Sequence, residues 1–233
     1  MDRIADQFLN WNALAASATL LWLGLLQTAR LVAAILAVAV VLGAVVAWVR
    51  TRRRAWVSTL GIAYVDLARS TPPLVALVLV CYGLPIFGLP SPSTFEAAVI
   101  ALGLLHSAHV GEIYRGGALA VAAGQREASC ALGLSGMQAV RWILLPQVVR
   151  AILPPLTSQA TQIVRDSPLA LMIGYTELLS RAREAQALTA NATAITAAGG
   201  VYLGLLLILQ AAATTMGRAW RRRISIGERV DTP

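Results

Sequence analysis

The sequence contains no lysine, because all 19 of its basic residues are arginine. Without lysine, the chain cannot supply the phosphate-binding lysine of a P-loop or a lysine that forms a Schiff base. Charge is scarce as well, since only 13% of the residues are charged, about half the share in a soluble domain. Hydrophobic residues make up 58% of the chain and fall in long runs. This composition excludes a soluble enzyme and indicates an integral membrane protein.

The apolar runs predict an all-α, polytopic membrane bundle of about five transmembrane helices. The clearest run, Leu31–Val49, is uncharged and is followed by clustered arginines, and its helix is expected to begin near Leu23. The step at residues 71–73 (Thr-Pro-Pro) is expected to bend or start a helix within the second span. The predicted spans lie within a transmembrane domain of residues 23–217 and cover residues 23–49, 60–89, 95–114, 155–176 and 194–217.

The distribution of arginine predicts how the bundle is oriented. Thirteen of the arginines follow span one, lie between spans three and four, or lie in the C-terminal tail, whereas three fall on the opposite side. Because cytoplasmic loops of membrane proteins are enriched in basic residues, the side with thirteen is predicted to be cytoplasmic. The N-terminal segment, residues 1–22, is therefore expected outside and the tail, residues 218–233, inside.

A polar stretch on the predicted cytoplasmic side, residues 124–146, reads GQREASCALGLSGMQAVRWILLP. Small residues are concentrated in its first part, which favours a short helix that can approach another protein closely. Ser135 and Gln138 have the spacing of a capping box, so a second helix is expected to start at Gly136 and to be interrupted by Pro146. The stretch is therefore predicted to fold into an exposed helical hairpin that binds a partner protein.

This stretch resembles the EAA loop of the permease subunits of ATP-binding-cassette (ABC) transporters. The family pattern is Glu-Ala-Ala, three residues, Gly, nine residues and Ile-x-Leu-Pro. This chain departs from it in one position, a serine in place of the second alanine, and matches through Glu127, Ala128, Ser129, Gly133, Ile143, Leu145 and Pro146. Three flanking stretches resemble the polar amino-acid subfamily: residues 64–72 (YVDLARSTP), 112–117 (EIYRGG) and 165–178 (RDSPLALMIGYTEL).

The resemblance implies a type I ABC importer permease fold and a permease subunit for the uptake of polar amino acids, such as His, Glu, Gln, Arg or opine-like solutes. It further implies that the loop, from Gly124 to Pro146, couples the permease to an ATPase. In that role Glu127 makes polar contact with the ATPase and Gly133 allows the turn. The implied location is the bacterial inner membrane, which the chain crosses several times.

The partners implied by the same resemblance are a cytoplasmic ATP-binding subunit, a periplasmic or lipid-anchored substrate-binding protein, and a second permease that forms a homodimer or a heterodimer. No cofactor is expected on this chain, because ATP and magnesium belong to the ATPase, and no nucleic-acid partner is expected. The chain is thus expected to be a transport subunit and not an enzyme, with no catalytic residues of its own.

Polar residues inside the predicted spans are candidates for the translocation path. One face of span four carries Ser158, Thr161, Gln162, Arg165 and Asp166, and one face of span three carries His106 and His109. Lipid cannot solvate such faces, so they are expected to meet water, substrate or another helix. A polar seam between helices, or buried hydrogen-bonded histidines, would account for the same pattern. No metal site is predicted, because neither the histidines nor the cysteines have the spacing of ligands.

Near the end of span three, Glu112 and Arg115 are three residues apart and predict a structural ion pair, with Arg69 as a further partner of Glu112.

Three other functions are compatible with the composition alone. The main alternative is a secondary transporter driven by an ion gradient through Asp166, His106 and His109. A membrane enzyme would need a convergent set of catalytic groups, which the chain does not offer at recognisable spacing. An efflux permease would differ from an importer by its independence of a binding protein.

Overall fold

A computed structural model of the chain describes residues 6–52, 54–121 and 123–228. For residues 123, 126, 127, 130 and 216–228 it describes the backbone and not the side chain. The regular secondary structure of the described residues is helical throughout. Its elements are α1 (Trp11–Arg50), α2 (Ala55–Ser70), α3 (Pro73–Ile86), α4 (Thr94–Ala120), α5 (Ala123–Ala131), α6 (Gly136–Ile173), α7 (Leu178–Thr189) and α8 (Thr193–Glu228).

Among the described helices, four are long and apolar enough to cross a membrane, or five if the bent pair α2–α3 counts as one span. α1 starts inside the segment predicted to precede the membrane, because Asn10 caps it by accepting a hydrogen bond from the Ala13 amide at 3.0 Å. At 40 residues it is roughly 60 Å long. It therefore exceeds the bilayer core, about 30 Å thick, and must tilt or project from it.

The second predicted span, residues 60–89, is two helices and not one. α2 ends at Ser70 and α3 begins at Pro73, with a bend of 104° between them. Thr71 and Pro72 at the junction have extended backbone, since proline disfavours helical geometry in the residue before it. The bend expected at this step is confirmed.

The expectation that Pro146 interrupts the second loop helix is wrong, because α6 runs unbroken from Gly136 to Ile173. Residues Ala139–Leu144, just before the proline, form a wider π-helical turn. Proline cannot donate a backbone hydrogen bond and its ring crowds the carbonyl four residues earlier, and the wider turn relieves that contact. The loop predicted at residues 124–146 and the span predicted at residues 155–176 therefore share one continuous helix.

The core lies where α1 packs along α4, and small residues allow this approach. A Cβ atom added to Gly43 would lie 2.6 Å from Cγ1 of Val110, and one added to Gly111 would lie 2.6 Å from Cγ1 of Val46. Close helix approach through small residues is a common mode of packing in membranes. The fully buried apolar side chains of this region include Leu31, Ile35, Ala39, Leu102 and Ala108.

Candidate functional site

Residues 124–146, called the hairpin from here on, consist of α5, a tight turn and the start of α6. The turn depends on Gly133, whose φ of +73° falls in the left-handed region that other residues rarely adopt. The Leu132 amide donates to the Ala128 carbonyl at 3.0 Å, and the Leu134 amide donates to the Ser129 carbonyl at 3.1 Å. These bonds satisfy the last carbonyls of α5, as in helices that end on a left-handed glycine.

The second helix of the hairpin begins with the predicted capping box. The Ser135 amide donates to Oε1 of Gln138 at 2.9 Å, and the Gln138 amide donates to Oγ of Ser135 at 3.4 Å. The helix then starts at Gly136, as the spacing predicted.

The residues assigned to the hairpin from the sequence occupy different environments. Gly124 and Ala128 are exposed, whereas Ser129 is fully buried and donates its hydroxyl to the Gln125 carbonyl at 2.6 Å. That bond explains why a serine fits where the family pattern has alanine. Of the remaining assigned residues, Ile143 and Pro146 are half-buried and Leu145 is exposed. The side chain of Glu127 lies outside the described residues.

The hairpin also carries large apolar side chains that nothing in the described part of the chain covers. Leu132 and Met137 are each 76% exposed, and Trp142 is 69% exposed. An exposed apolar surface of this kind marks a contact with a partner or a membrane. The hairpin is thus polar in sequence on its first helix and apolar around its turn.

The carboxylate of Glu112 is held by two arginines. Oε2 lies 2.8 Å from Arg115 Nη2, the pair that the spacing predicted, and Oε1 lies 2.9 Å from Arg50 Nε. The second partner is thus Arg50 and not Arg69, which was the expected one. Arg50 is the last residue of α1, so this ion pair joins the end of α1 to α4.

His106 lies in the interior between two side chains of α6. Its Nδ1 atom is 2.7 Å from Gln159 Nε2, and its Nε2 atom is 3.3 Å from Asp166 Oδ2 but out of line for a hydrogen bond. If the amide of Gln159 donates to Nδ1, the proton of the neutral ring sits on Nε2, the ring nitrogen nearer to Asp166. Asp166 also accepts a hydrogen bond from Gln162 Nε2 at 3.1 Å. The structure therefore brings His106, Asp166 and Gln162 together.

The other polar residues predicted on these faces differ in how far they are buried. Thr161 is buried and donates to the Thr157 carbonyl at 3.1 Å, and exposed Ser158 donates to the Pro154 carbonyl at 3.3 Å. Arg165 is exposed, and no ion pair of the described residues includes it. His109 Nδ1 lies 3.2 Å from the Leu105 carbonyl.

A cavity of about 300 Å³ adjoins the His106 contact and is lined by Arg69, His109, Glu112, Ile113 and Gln159. Gln159 belongs to both places, so a polar route runs from Asp166 through His106 and Gln159 to this cavity. Gln159 was missed in the sequence although it lies seven residues before Asp166 on the same side of the helix, because its partner is a histidine 53 positions away.

A buried carboxylate that the sequence reading missed is Glu177, which is fully buried. It caps α7 by accepting hydrogen bonds from the amides of Leu179 at 2.9 Å and Ser180 at 2.7 Å, and it accepts another from the hydroxyl of Tyr202 on α8. The next amide, Leu178, donates to Oγ1 of Thr28 on α1 at 3.0 Å. This cluster fixes α7 between α1 and α8, in the segment that separates the fourth and fifth predicted spans.

Comparison with known proteins agrees with the resemblance seen in the hairpin. Residues 39–222 match the family model described as binding-protein-dependent transport system inner membrane component. The chain is 33% identical to the probable amino-acid ABC transporter permease protein y4tG of Sinorhizobium fredii over 82% of this chain and 83% of the relative. It is 32% identical to the glutamine transport system permease protein GlnP of Escherichia coli over 86% of this chain and 92% of the relative.

Solved structures share the architecture. A crystal structure of an amino acid ABC transporter with histidines superposes with a TM-score of 0.82 at 27% identity, covering 91% of this chain and 99% of the other. An inward-facing structure of the MetNI methionine ABC transporter superposes with a TM-score of 0.70 at 24% identity, covering 87% and 96%. At that identity the second likeness shows the fold alone, which is that of a type I ABC importer permease.

Proposed function

The chain belongs to the family of binding-protein-dependent transport system inner membrane components, and on that premise we propose that its hairpin couples it to a separate ATPase. It is a permease subunit of an amino-acid ABC importer, as its relatives are. The alternative of an ion-coupled secondary transporter finds no support among them. The observation that carries the proposal is an exposed apolar hairpin whose tight turn is held by Gly133.

In this proposal each residue of the hairpin has a physical task. The exposed, small side chain of Ala128 allows the first helix to lie deep in a groove of the ATPase, and Glu127 makes a polar contact there. Gly133 closes the turn, while Gly124 and buried Ser129 keep the first helix slim. The end of the hairpin, which contains Ile143, Leu145 and Pro146, continues into the rest of α6. A movement of the hairpin is therefore transmitted to the membrane domain through one unbroken helix.

The partners follow from the family. Two ATPase subunits bind ATP and magnesium on the cytoplasmic side, a binding protein delivers the solute from outside, and a second permease, identical or related, completes the path. The absence of lysine from this chain supports the assignment of ATP binding to separate subunits, because a P-loop here would lack its phosphate-binding residue. The chain itself makes and breaks no covalent bond.

The proposed location is the bacterial inner membrane, with the N-terminus outside and both the hairpin and the C-terminus in the cytoplasm. The arginine distribution supports this orientation. The proposed transmembrane domain is residues 23–217, and the proposed cytoplasmic tail, residues 218–233, follows it.

The proposed translocation path runs along the polar route beside His106 and Asp166, and its other members are His109, Ser158, Thr161, Gln162 and Arg165. Exposed polar side chains such as Ser158, Gln162 and Arg165 are expensive in contact with lipid, which supports a water-lined path on this side of α6. The solute is a polar amino acid. Closure of the two ATPases on ATP would draw the two hairpins together and open the path outward, and release would open it inward.

The test of coupling is capture of the ATPase subunit by purified permease variants. Ala128→Phe overfills the docking contact, and a misfit of about 1–3 kcal/mol corresponds to a 5- to 150-fold loss of affinity. Gly133→Val places a β-branched residue at a positive φ and distorts the turn. The control is Gly199→Val, because a Cβ at Gly199 meets no atom within 4 Å and its backbone needs no special angle.

We expect both hairpin variants to insert normally but to lose ATPase capture and substrate-stimulated ATP hydrolysis, and Gly199→Val to retain them. Normal capture and normal stimulation in both hairpin variants would show that this loop is not the coupling element.

A further inference from the structure

An apolar groove runs between α1 and α2 at the end of α1 that carries the arginine cluster. It has a volume of about 330 Å³ and is lined by Val45, Val46, Val49, Val57, Leu60, Gly61 and Tyr64. The hydroxyl of Tyr64 points away from it, towards the Leu104 carbonyl at 2.9 Å and Ser107 Oγ at 2.7 Å. The surface that the groove presents is therefore hydrocarbon.

The two helices that form this groove meet closely at Gly61. A Cβ atom on Gly61 would lie 3.0 Å from Cγ1 of Val49, so glycine allows the close contact. Away from that contact the walls are open, since Val45 is 52% exposed and Leu60 is 63% exposed. The groove is thus open along its side over the length of about two helical turns.

Two arginines of the segment between α1 and α2 lie three positions along the chain from groove residues, because Arg52 follows Val49 and Arg54 precedes Val57. The Cζ atom of Arg52 lies 3.5 Å from the centroid of the Trp48 ring, and Trp48 directly precedes the groove residue Val49. Arg54 precedes the first residue of α2 and is exposed. Unlike Arg50, which is paired with Glu112, neither of these arginines is in an ion pair with any residue that the structure describes.

We propose that this groove binds an anionic phospholipid of the cytoplasmic leaflet, with an acyl chain along α1 and α2 and the phosphate at Arg52 and Arg54. The inference rests on the orientation proposed above, which puts the turn on the cytoplasmic side. Anionic lipids are abundant in that leaflet and are recognised by basic clusters next to transmembrane helices. An apolar groove below unpaired guanidinium groups complements both parts of such a lipid.

Other occupants match the groove less well. A soluble phosphate would use the arginines but leave the hydrocarbon walls uncovered. A second copy of the chain would need a much larger matched surface, since stable protein interfaces bury about 1,200–2,000 Å². The groove is instead at the lower end of the volumes typical of small-ligand sites, about 300–1,000 Å³.

The experiment counts the lipids that stay bound to the full-length chain. Wild type and variants are reconstituted in bilayers of equal parts phosphatidylcholine and phosphatidylglycerol, released, and analysed by native mass spectrometry. Arg52→Gln and Arg54→Gln remove the charges, singly and together, and Val45→Phe fills the groove. Arg183→Gln is the matched control, because Arg183 is an exposed arginine on α7, at a distance along the chain from the groove.

Each arginine is expected to account for about a five-fold preference for the anionic lipid, so the double variant retains roughly twenty-fold less phosphatidylglycerol. Its retention of phosphatidylcholine stays unchanged, Val45→Phe loses both lipids, and Arg183→Gln behaves as wild type. Equal phosphatidylglycerol retention in the double variant and the control would overturn the proposal. So would a Val45→Phe variant that keeps its lipid but loses self-association, because the groove would then be an interface between permeases.

Failure of this proposal and failure of the coupling proposal are distinguishable in the same samples. The ATPase capture of these variants is expected to equal that of wild type, because none of the changes lies in the hairpin.

Discussion

The contact between α1 and α4 and the hairpin at residues 124–146 are both rich in small residues, yet they use them in opposite ways. In the α1–α4 contact, Gly43 and Gly111 bring two helices so close that a single added carbon would meet side-chain atoms 2.6 Å away. In the hairpin, a carbon added to Gly124, Gly133 or Gly136 would meet nothing within 4 Å. The small residues of the α1–α4 contact pack against side chains of this chain. Those of the hairpin leave space that a partner protein can fill.

Larger side chains are therefore expected to have different effects in the two regions. Enlarging a residue in the α1–α4 contact is expected to reduce the stability of the permease itself. Enlarging an exposed residue of the hairpin, such as Ala128, is expected to leave stability unchanged and to weaken the association with the ATPase. Variants in the two regions can therefore be compared by measuring folding and capture on the same purified protein.

The largest effect is expected from Gly43→Leu. Its side chain would collide with Val110 and approach the backbone nitrogen of Gly111, 3.1 Å from the Cβ position, so the helices must move apart. We expect a loss of stability of about 3 kcal/mol, the upper end for overpacking, seen as a lower thermal transition in detergent. Gly200→Leu, where the added carbon meets nothing within 4 Å, is the control and should unfold like wild type. Equal transitions for the two variants would mean that the α1–α4 contact is looser than described.

A smaller effect, and one on transport, is expected from Asp166→Ala. The change removes the carboxylate that lies 3.3 Å from Nε2 of His106 and that accepts a hydrogen bond from Nε2 of Gln162, so the proposed path loses a charge and a polar contact at one place. We expect uptake to fall about ten-fold while the subunit remains assembled. Asp66→Ala removes an exposed carboxylate on α2 and serves as the control. Normal uptake by the purified Asp166→Ala complex would exclude Asp166 from the path, and loss of the subunit from the membrane would favour a structural seam.

The smallest effects are expected from the two capping boxes. Ser93 with Glu96 begins α4, and Ser135 with Gln138 begins the second helix of the hairpin. Replacing either serine by alanine should cost about 1 kcal/mol. We expect Ser93→Ala to lower thermal stability, and Ser135→Ala to leave it nearly unchanged and reduce ATPase capture up to about five-fold. If both variants changed only stability, the hairpin would be an ordinary part of the fold.

Features encoded by short spacings were predictable from the sequence. The capping box at Ser135, the turn at Gly133 and the ion pair of Glu112 with Arg115 all depend on residues a few positions apart. The bend after Ser70 was predictable for the same reason, because proline restricts its immediate neighbour.

Features that depend on distant residues were not predictable from one sequence. Arg50 meets Glu112 across 62 positions, and Tyr202 meets Glu177 because α7 and α8 fold against each other. Pro146 was misjudged for a subtler reason. Its effect depends on the π-helical turn before it, and neither the residue nor its neighbours reveal that turn through hydropathy or spacing.

The most direct test of the coupling role is cysteine labelling at Ala128, after both native cysteines, Cys81 and Cys130, have been replaced by serine. Ala128→Cys is treated with a membrane-impermeant maleimide in intact cells and in inside-out vesicles, with and without the ATPase subunit, and Ser93→Cys provides the reference for the opposite side. We predict labelling of Cys at position 128 only in inside-out vesicles and strong protection when the ATPase is bound. Labelling in intact cells, or equal labelling with and without the ATPase, would contradict the account.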